Sequence, residues 1–450
     1  MDKCNTQQCT CKLTPKNGMY MTPSDFPEWG QKFVKDYLNA YGEEIDIRYI
    51  TFVVTERCPL RCTYCYEDHD RHKHGKTMTK ETGRQIVDFI FDEQKINGYF
   101  DHNKVKGVVL DFIGGEPLLE IDLIDYIVDY FKYKAILLKH HWLNSFMINI
   151  SSNGVLYFTE KVQKFLNKNK DLVSLGITID GNKDLHDACR VFPDGSGSYD
   201  IVSKAIKAQS NLQCTTTTKI TLSPENIPFI SESIIHLWEL GIDAINGGPV
   251  FENVWSPEDC VVYFDELIKL SNYIIDSDLY THKYTSLFDE KLGVKSDNDK
   301  NFCGGTGNML SFDYNGNAFP CLRYMQHSLH SQKEQPIGNL EHGMDGDENP
   351  FLKELKEITY SSQSPQKCID CKVSLGCAWC SGYNYDCFGT PNMRATFNCE
   401  MHKTKILANY YYWNKLYKKL NIDKSFPLNI DEDEIVNLIG RDKYIMLMNM

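Results

Sequence analysis

Residues 55–65 read TERCPLRCTYC and follow an apolar, β-branched run at 47–55, which predicts a strand that ends in a cysteine loop. Cys58, Cys62 and Cys65 have the spacing Cys-x3-Cys-x2-Cys. Three thiolates on one tight loop are too few for a closed structural metal site, which takes four protein ligands. They suit a [4Fe–4S] cluster with one iron left open. A zinc site that borrows a distant fourth ligand is the alternative.

Beyond this loop, strand-like and helix-like segments alternate up to about residue 277. Apolar runs predict strands at 47–55, 105–113, 146–151, 173–179, 215–221 and 244–250. Amphipathic stretches predict helices at 80–94, 122–133, 159–166, 199–209, 225–240 and 258–276. Buried strands separated by helices imply an α/β fold with a parallel sheet covered by helices. Six units are two short of a closed eight-stranded barrel, so we expect an open, partial (βα)6 TIM-like barrel.

Polar, glycine-containing turns follow three further strands of the predicted barrel. The second strand leads into GGEP at 114–117, the third into SSNG at 151–154, and the fourth into DG at 180–181 with HDACR at 186–190. Ligands of such folds bind at the carboxyl ends of the strands. Glycines let the backbone approach a ligand closely, and a glutamate can bind an ammonium group. The sequence therefore predicts a ligand site at this edge.

The region after residue 280 is turn-rich and dense in cysteine. Eight of the 17 cysteines lie there: Cys303, Cys321, Cys368, Cys371, Cys377, Cys380, Cys387 and Cys399. The first two frame a predicted hairpin whose turn is at 314–317, and the next four form Cys-x2-Cys-x5-Cys-x2-Cys. Soft thiolate ligands of this kind bind zinc or iron–sulfur clusters. A second metal-binding region is therefore expected.

The composition limits the partners and the compartment. The chain has 450 residues, a formal net charge of -13 and a pI of about 5.5. An acidic chain lacks the basic footprint that nucleic acid binding needs. No apolar run predicts a membrane span or a signal peptide. We expect a cytoplasmic protein, where clustered cysteines bind metal more often than they form disulfides.

The cysteine loop after the first strand of a partial barrel resembles the radical S-adenosylmethionine (SAM) superfamily. The resemblance implies that Cys58, Cys62 and Cys65 hold a [4Fe–4S] cluster and that its open iron binds SAM. One-electron reduction then yields a 5′-deoxyadenosyl radical. The resemblance also implies further contacts with SAM: Tyr64 near the adenine, Gly114, Gly115 and Glu116 as the family's GGE motif, and Ser151, Asn153 and Arg190 as polar contacts.

The C-terminal cysteines resemble the seven-cysteine SPASM extension of radical SAM enzymes that modify peptides. This implies two auxiliary [4Fe–4S] clusters, and so three clusters in all. Auxiliary cluster I would be held by Cys303, Cys321 and Cys380. Auxiliary cluster II would be held by Cys368, Cys371, Cys377 and Cys399. The gap before Cys380 is one residue shorter than usual, and cluster I has either Cys387 as its fourth ligand or an open iron.

The closest resemblance is to maturases of ribosomally made peptides with Cys-x-x-x repeats. It implies a radical SAM oxidoreductase that joins a cysteine sulfur to a carbon of a cysteine-containing precursor peptide, with a ferredoxin or flavodoxin as reductant. Carbon–carbon crosslinking of the cyclophane type is the alternative. Formylglycine formation in sulfatases is disfavoured, because the related enzymes place an aspartate directly after the second SPASM cysteine, where this chain has Leu322.

Four regions are expected along the chain. Residues 1–46 form an N-terminal leader with a short helix near 29–41, and residues 47–280 form the partial barrel. Residues 281–402 form a linker and the auxiliary-cluster domain, and residues 403–450 form a C-terminal helix and tail.

Overall fold

The computed structural model describes residues 46–65, 67, 69–210, 217–346 and 348–450. The short helix expected near 29–41 therefore lies outside the described residues, as do Cys4, Cys9 and Cys11 of the leader. All six strands of the predicted repeat are present, and each is followed by at least one helix.

The strands form two sheets. Their bounds are β1 Ile47–Thr55, β2 Gly107–Gly114, β3 Phe146–Ser152, β4 Val173–Ile177, β5 Thr217–Leu222, β6 Ala244–Pro249, β7 Tyr284–Thr285, β8 Met309–Phe312, β9 Asn317–Phe319, β10 Gly338–Asn339 and β11 Gly343–Met344. The larger sheet has the order β11-β10-β9-β8-β1-β2-β3-β4, and the smaller has the order β5-β6-β7. Strands β1 to β4 pair in parallel, as do β5 to β7. The predicted α/β class and the parallel pairing are confirmed, but the six predicted strands are divided between the two sheets, with β1–β4 in one and β5 and β6 in the other.

The helices cover these strands and continue into the C-terminal region. Their bounds are α1 His69–His74, α2 Lys80–Ile90, α3 Glu93–Ile96, α4 Ile121–Leu137, α5 Glu160–Lys168, α6 Lys183–Cys189, α7 Tyr199–Ser210, α8 Ile230–Glu239, α9 Pro257–Asp276, α10 Pro350–Glu357, α11 Tyr360–Gln363, α12 Gln366–Ile369, α13 Ser381–Phe388, α14 Cys399–Leu420, α15 Glu432–Ile439 and α16 Arg441–Met448. Among the described residues, no helix has both the length and the apolar character needed to cross a membrane.

Apolar and polar side chains alternate in the middle of β1 and β2 and separate two faces of the sheet. Ile50 and Phe52 of β1 and Leu110 and Phe112 of β2 are fully buried and pack against the helices. On the other face, Thr51 donates to the carboxylate of Asp111 (3.0 Å), and the Asn149 amide donates to its second oxygen (2.7 Å). Because strand side chains alternate, one face builds the core and the other is polar. This second face of the sheet can therefore accept polar groups.

Two predicted helices are interrupted at identifiable residues. The helix expected at 80–94 ends at Ile90, because the Asp92 side chain accepts from the backbone N–H groups of Gln94 and Lys95 and starts the separate helix α3. The helix expected at 225–240 begins as a 3-10 turn at Ile227–Phe229, which contains a proline, and continues as α8. Capping and proline chemistry changed these bounds without changing the predicted order.

The C-terminal hairpin joins the larger sheet. Strands β8 and β9 are antiparallel, as predicted, and Gly316 in their turn has a φ of +84°, which favours glycine. Strand β8 also pairs in parallel with β1, from Tyr49↔Met309 to Phe52↔Phe312. On its other side, β1 pairs with β2, where Phe52 lies opposite Phe112. The sequence did not predict the pairing of β8 with β1, because β8 has four residues and lies about 250 positions from β1.

Candidate metal and cofactor sites

The three thiols of the loop after β1 face one another. Burial, together with smaller contributions from Glu116 and the nearby Cys62 and Cys65 thiols, raises the pKa of Cys58 to about 12. Burial likewise raises the pKa of Cys65 to about 11. The loop is held by two backbone bonds, from Arg61 N to Val191 O (2.7 Å) and from Thr63 N to Cys189 O (2.9 Å). Such buried thiols become thiolates only when a metal binds them.

Each of these sulfurs has a nitrogen group close to it. The Asn153 amide lies 3.6 Å from Cys58 Sγ, and Arg190 Nη1 lies 4.0 Å from Cys62 Sγ. His72 Nε2 lies 3.8 Å from Cys65 Sγ. Asn153 and Arg190 were predicted from strand-end motifs. His72 was missed, although the cluster of histidines just after the loop was a visible signal.

The double glycine and Glu116 close the site from the end of β2. A side chain at Gly114 would come within 2.2 Å of the Thr55 carbonyl oxygen, and one at Gly115 within 2.5 Å of the Arg57 carbonyl oxygen, so both positions need glycine. Glu116 is fully buried, and its carboxylate accepts from Ser152 Oγ (2.8 Å), Asn153 N (2.8 Å) and Leu118 N (3.0 Å). Burial raises the pKa of Glu116 to about 7.

Replacing Glu116 by alanine should destabilise the protein strongly. Three buried donors would lose their acceptor, and each stranded group costs about 1–3 kcal/mol, so we expect a loss on the order of 3 kcal/mol or more. Urea denaturation of metal-free protein measures this. Glu120→Ala is the matched control, because Glu120 makes an ion pair with the half-exposed Arg57, and such a pair contributes about 1 kcal/mol or less. Equal losses in the two variants would contradict the assigned role.

Asp180 organises two predicted SAM-contacting residues. Arg190 Nε donates to Asp180 Oδ2 (2.7 Å), and the Tyr64 hydroxyl donates to the same oxygen. The Arg190 guanidinium lies 5.4 Å from the centre of the Tyr64 ring. Asp180 was visible in the sequence as the residue that follows a strand, but its role in fixing Arg190 and Tyr64 was not predicted.

The structure brings together most of the predicted SAM-site residues. Cys58, Cys62, Tyr64, Cys65, Glu116, Asn153 and Arg190 all belong to one connected set. Ser151 does not join it: strand alternation leaves its side chain exposed, and the neighbouring Ser152 bonds to Glu116 instead. A contact of Ser151 with SAM stays a prediction.

Cys303, Cys321 and Cys380 form a second group of thiols. Burial raises the pKa of Cys321, and Cys380 and Cys303 raise it further, which places the three close together. The hydroxyl of the fully buried Ser381 lies 3.2 Å from Cys303 Sγ. Cys387 points elsewhere: the groups that act on its thiol are Tyr383, Asp386 and Glu252.

Cys368, Cys371, Cys377 and Cys399 form a third group. Burial raises the pKa values of Cys368, Cys377 and Cys399, and thiols of the same group raise them further. Cys399 is the first residue of α14, four positions before the start predicted for that helix. Helix α14 therefore fixes the last thiol of this group against the loop that carries the other three.

The donor chemistry of the three groups fits iron–sulfur clusters. Among the described residues, no three His, Cys, Asp or Glu side chains lie together as a single metal ion would require. An iron–sulfur cluster gives each thiolate its own iron, so its ligands stand farther apart. The chemistry of the donors, which are all thiols, also fits iron–sulfur clusters.

Comparison with known families identifies the class of protein. Residues 52–228 match the model of the radical SAM superfamily, and this stretch contains the cysteine loop, Glu116, Asn153 and Arg190. Residues 52–228 are therefore assigned as a radical SAM domain.

The chain is also similar to particular proteins. It is 22% identical over 388 residues to the radical SAM cyclopropyl synthase TigE of Paramaledivibacter caminithermalis, which covers 81% of this chain and 74% of TigE. It is 27% identical over 165 residues to the antilisterial bacteriocin subtilosin biosynthesis protein AlbA of Bacillus subtilis, which covers 36% of this chain and 30% of AlbA. The chain spans 62% of one further curated relative and 34% to 37% of others.

A solved structure has the same fold. Native anSMEcpe with bound AdoMet matches this structure with a TM-score of 0.61 at 17% identity, over 83% of this chain and 99% of that chain.

Proposed function

We propose that this radical SAM enzyme modifies a ribosomally made peptide and joins a cysteine sulfur of that peptide to one of its carbon atoms. The support comes from two relatives: TigE is named a radical SAM synthase and matches most of this chain, and AlbA is named for the biosynthesis of a bacteriocin. The observation that carries the thioether assignment is the second thiol group, which has three cysteines where the third group has four.

The missing fourth thiol supports an open position at auxiliary cluster I. Cys387 is the nearest further cysteine in the sequence, but its thiol lies with Tyr383 and Glu252 and not with Cys303, Cys321 and Cys380. If these three hold a [4Fe–4S] cluster, one iron has no thiolate from the described residues. That position suits a thiolate of the substrate peptide.

Different residues would hold the cluster and bind SAM in the proposed site. Cys58, Cys62 and Cys65 would hold the catalytic cluster, and the Glu116 carboxylate would accept a hydrogen bond from the ammonium group of SAM. When bound, cluster and SAM supply a 5′-deoxyadenosyl radical that takes a hydrogen atom from the substrate. Asp180 holds Arg190 and Tyr64 in place beside this site.

The remaining assignments belong to the same proposal. Residues 47–280 form the catalytic barrel and residues 281–402 a SPASM domain with two auxiliary [4Fe–4S] clusters, followed by the C-terminal helix and tail. A ferredoxin or flavodoxin supplies the electron.

The first experiment measures iron, sulfide and zinc in anaerobically purified protein, with EPR spectra of the reduced state before and after SAM is added. We expect about twelve irons per chain and one signal that SAM perturbs. About four irons together with zinc would assign the C-terminal cysteines to a structural role and remove the support for a thioether.

The second experiment distinguishes the products. A cysteine-containing test peptide should lose a pair of hydrogen atoms, with formation of 5′-deoxyadenosine, and the product should no longer react with iodoacetamide at the crosslinked cysteine. A product of that mass whose thiols all still react would show that the bond joins two carbons. This second candidate is favoured by the name of TigE, since closing a cyclopropyl ring makes carbon–carbon bonds.

A further inference from the structure

Arg394 is a buried cation beside the third thiol group. Only 6% of the surface of Arg394 is exposed to solvent. Nη2 donates to the Cys377 carbonyl oxygen (2.8 Å), while the buried Nη1 has no hydrogen-bond partner among the described residues. The guanidinium also lies 5.6 Å from the centre of the Tyr360 ring. Within the described part of the chain, no carboxylate forms an ion pair with it.

An unpaired buried charge is costly, because it has lost its hydration without gaining a counter-ion. Arg394 lies near thiols of the third group. Burial raises the pKa values of Cys368 and Cys377, and the positive charge of Arg394 lowers them. A [4Fe–4S] cluster with four thiolates is negatively charged. Such a cluster in this place would supply the missing anion and would accept a hydrogen bond from Nη1.

The second thiol group has an arginine too, but that arginine is neutralised. The positive charge of Arg323 likewise lowers the pKa values of Cys321 and Cys380, which burial raises. Its Nη2 lies 3.3 Å from Glu252 Oε1, and the Arg323 side chain keeps 23% of its exposure. The two thiol groups therefore differ in their electrostatic surroundings, one beside an ion pair near solvent and the other beside a bare buried cation.

We propose that Arg394 is a positioning residue that compensates the charge of the cluster held by Cys368, Cys371, Cys377 and Cys399 and raises its reduction potential. This rests on the proposed function, which supplies the cluster. Reduction adds a negative charge, and a fixed cation in a medium of low dielectric constant stabilises the reduced state more than the oxidised state. This cluster is then easier to reduce than it would be without Arg394.

The test is an EPR-monitored redox titration of the full, iron-loaded protein. Arg394→Met removes the charge, and Arg394→Lys keeps it. Arg323→Met is the matched control in the other group. In Arg394→Met, one auxiliary signal should need a lower potential to appear, with the other signals unchanged. Arg394→Lys should shift this signal less, and Arg323→Met should shift a different auxiliary signal, and by less. Wild-type potentials for every cluster in a folded Arg394→Met protein would overturn the proposal.

Iron content covers the case in which Arg394→Met fails to load. Loss of about four irons in Arg394→Met but not in Arg394→Lys supports the proposal, because the charge alone then rescues the cluster. Equal loss in both variants overturns it, because the shape of the guanidinium would then be what matters. Zinc instead of iron in the wild-type C-terminal region is a separate result, which rejects the proposed function before any variant is compared.

Discussion

Cys62→Ala should abolish SAM cleavage, with no 5′-deoxyadenosine above background in the presence of dithionite. Two thiols would remain in the first group, and Arg190 Nη1 would lose the sulfur that lies 4.0 Å away. Iron content should fall by about four atoms per chain, because one cluster is lost. The β1 core does not include Cys62, so the variant should stay folded.

Cys189→Ala is the sharpest control for this variant. The Cys189 thiol lies close enough to Cys62 to raise its pKa, and the Cys189 carbonyl oxygen accepts a hydrogen bond from Thr63 N. Cys189 is nevertheless not one of the three cysteines of the Cys-x3-Cys-x2-Cys motif. Its loss should leave iron content and SAM cleavage near wild type. Normal cleavage in Cys62→Ala would make the central assignment wrong.

Cys371→Ala should stop peptide modification while SAM cleavage continues in part. Removing one of four thiols should release about four irons. The loop between α12 and α13 carries Cys371 and Cys377, and hydrogen bonds tie it and the end of α12 to the rest of the chain, from Tyr360 Oη to Cys368 O (2.5 Å) and from His402 Nε2 to Val373 O (2.8 Å). Since cluster binding is coupled to folding in such regions, limited proteolysis should cut this loop faster.

Cys387→Ala tests the ligand assignment in the same region. Its thiol lies with Tyr383 and Glu252, so the variant should keep its iron and its peptide product. Loss of about four irons from Cys387→Ala would make Cys387 the fourth ligand of auxiliary cluster I and would close the position proposed for the peptide thiolate.

The order of strands and helices could be predicted because each unit has a local signal. The apolar run before Cys58 predicts β1 with the bounds that the structure has. The pairing of β8 with β1 has no such signal, because parallel pairing between distant short strands depends on the folded chain. The end of α2 at Ile90 depends on one capping side chain, Asp92, within an otherwise helical pattern.

The candidate sites show the same division. Thiol groups could be predicted from spacing, and the strand-end rule found Glu116, Asn153 and Arg190. The groups that position them are visible only in three dimensions: Asp180 between Arg190 and Tyr64, His72 beside Cys65, and Arg394 beside Cys377. The bond between Ser152 and Glu116 was not predicted either, because a sequence motif does not reveal which face of a strand a residue occupies; the contact of Ser151 with SAM stays a prediction.

The position of strand β8 limits how the C-terminal region could be exchanged between related proteins. It lies next to β1, whose end carries Cys58, and is preceded by Cys303 and followed through β9 by Cys321. The first and second thiol groups thus lie at the ends of strands that belong to one hydrogen-bonded sheet, in which β8 pairs directly with β1. Exchange of the C-terminal region between relatives would therefore have to preserve the β1–β8 pairing as well as the cysteines.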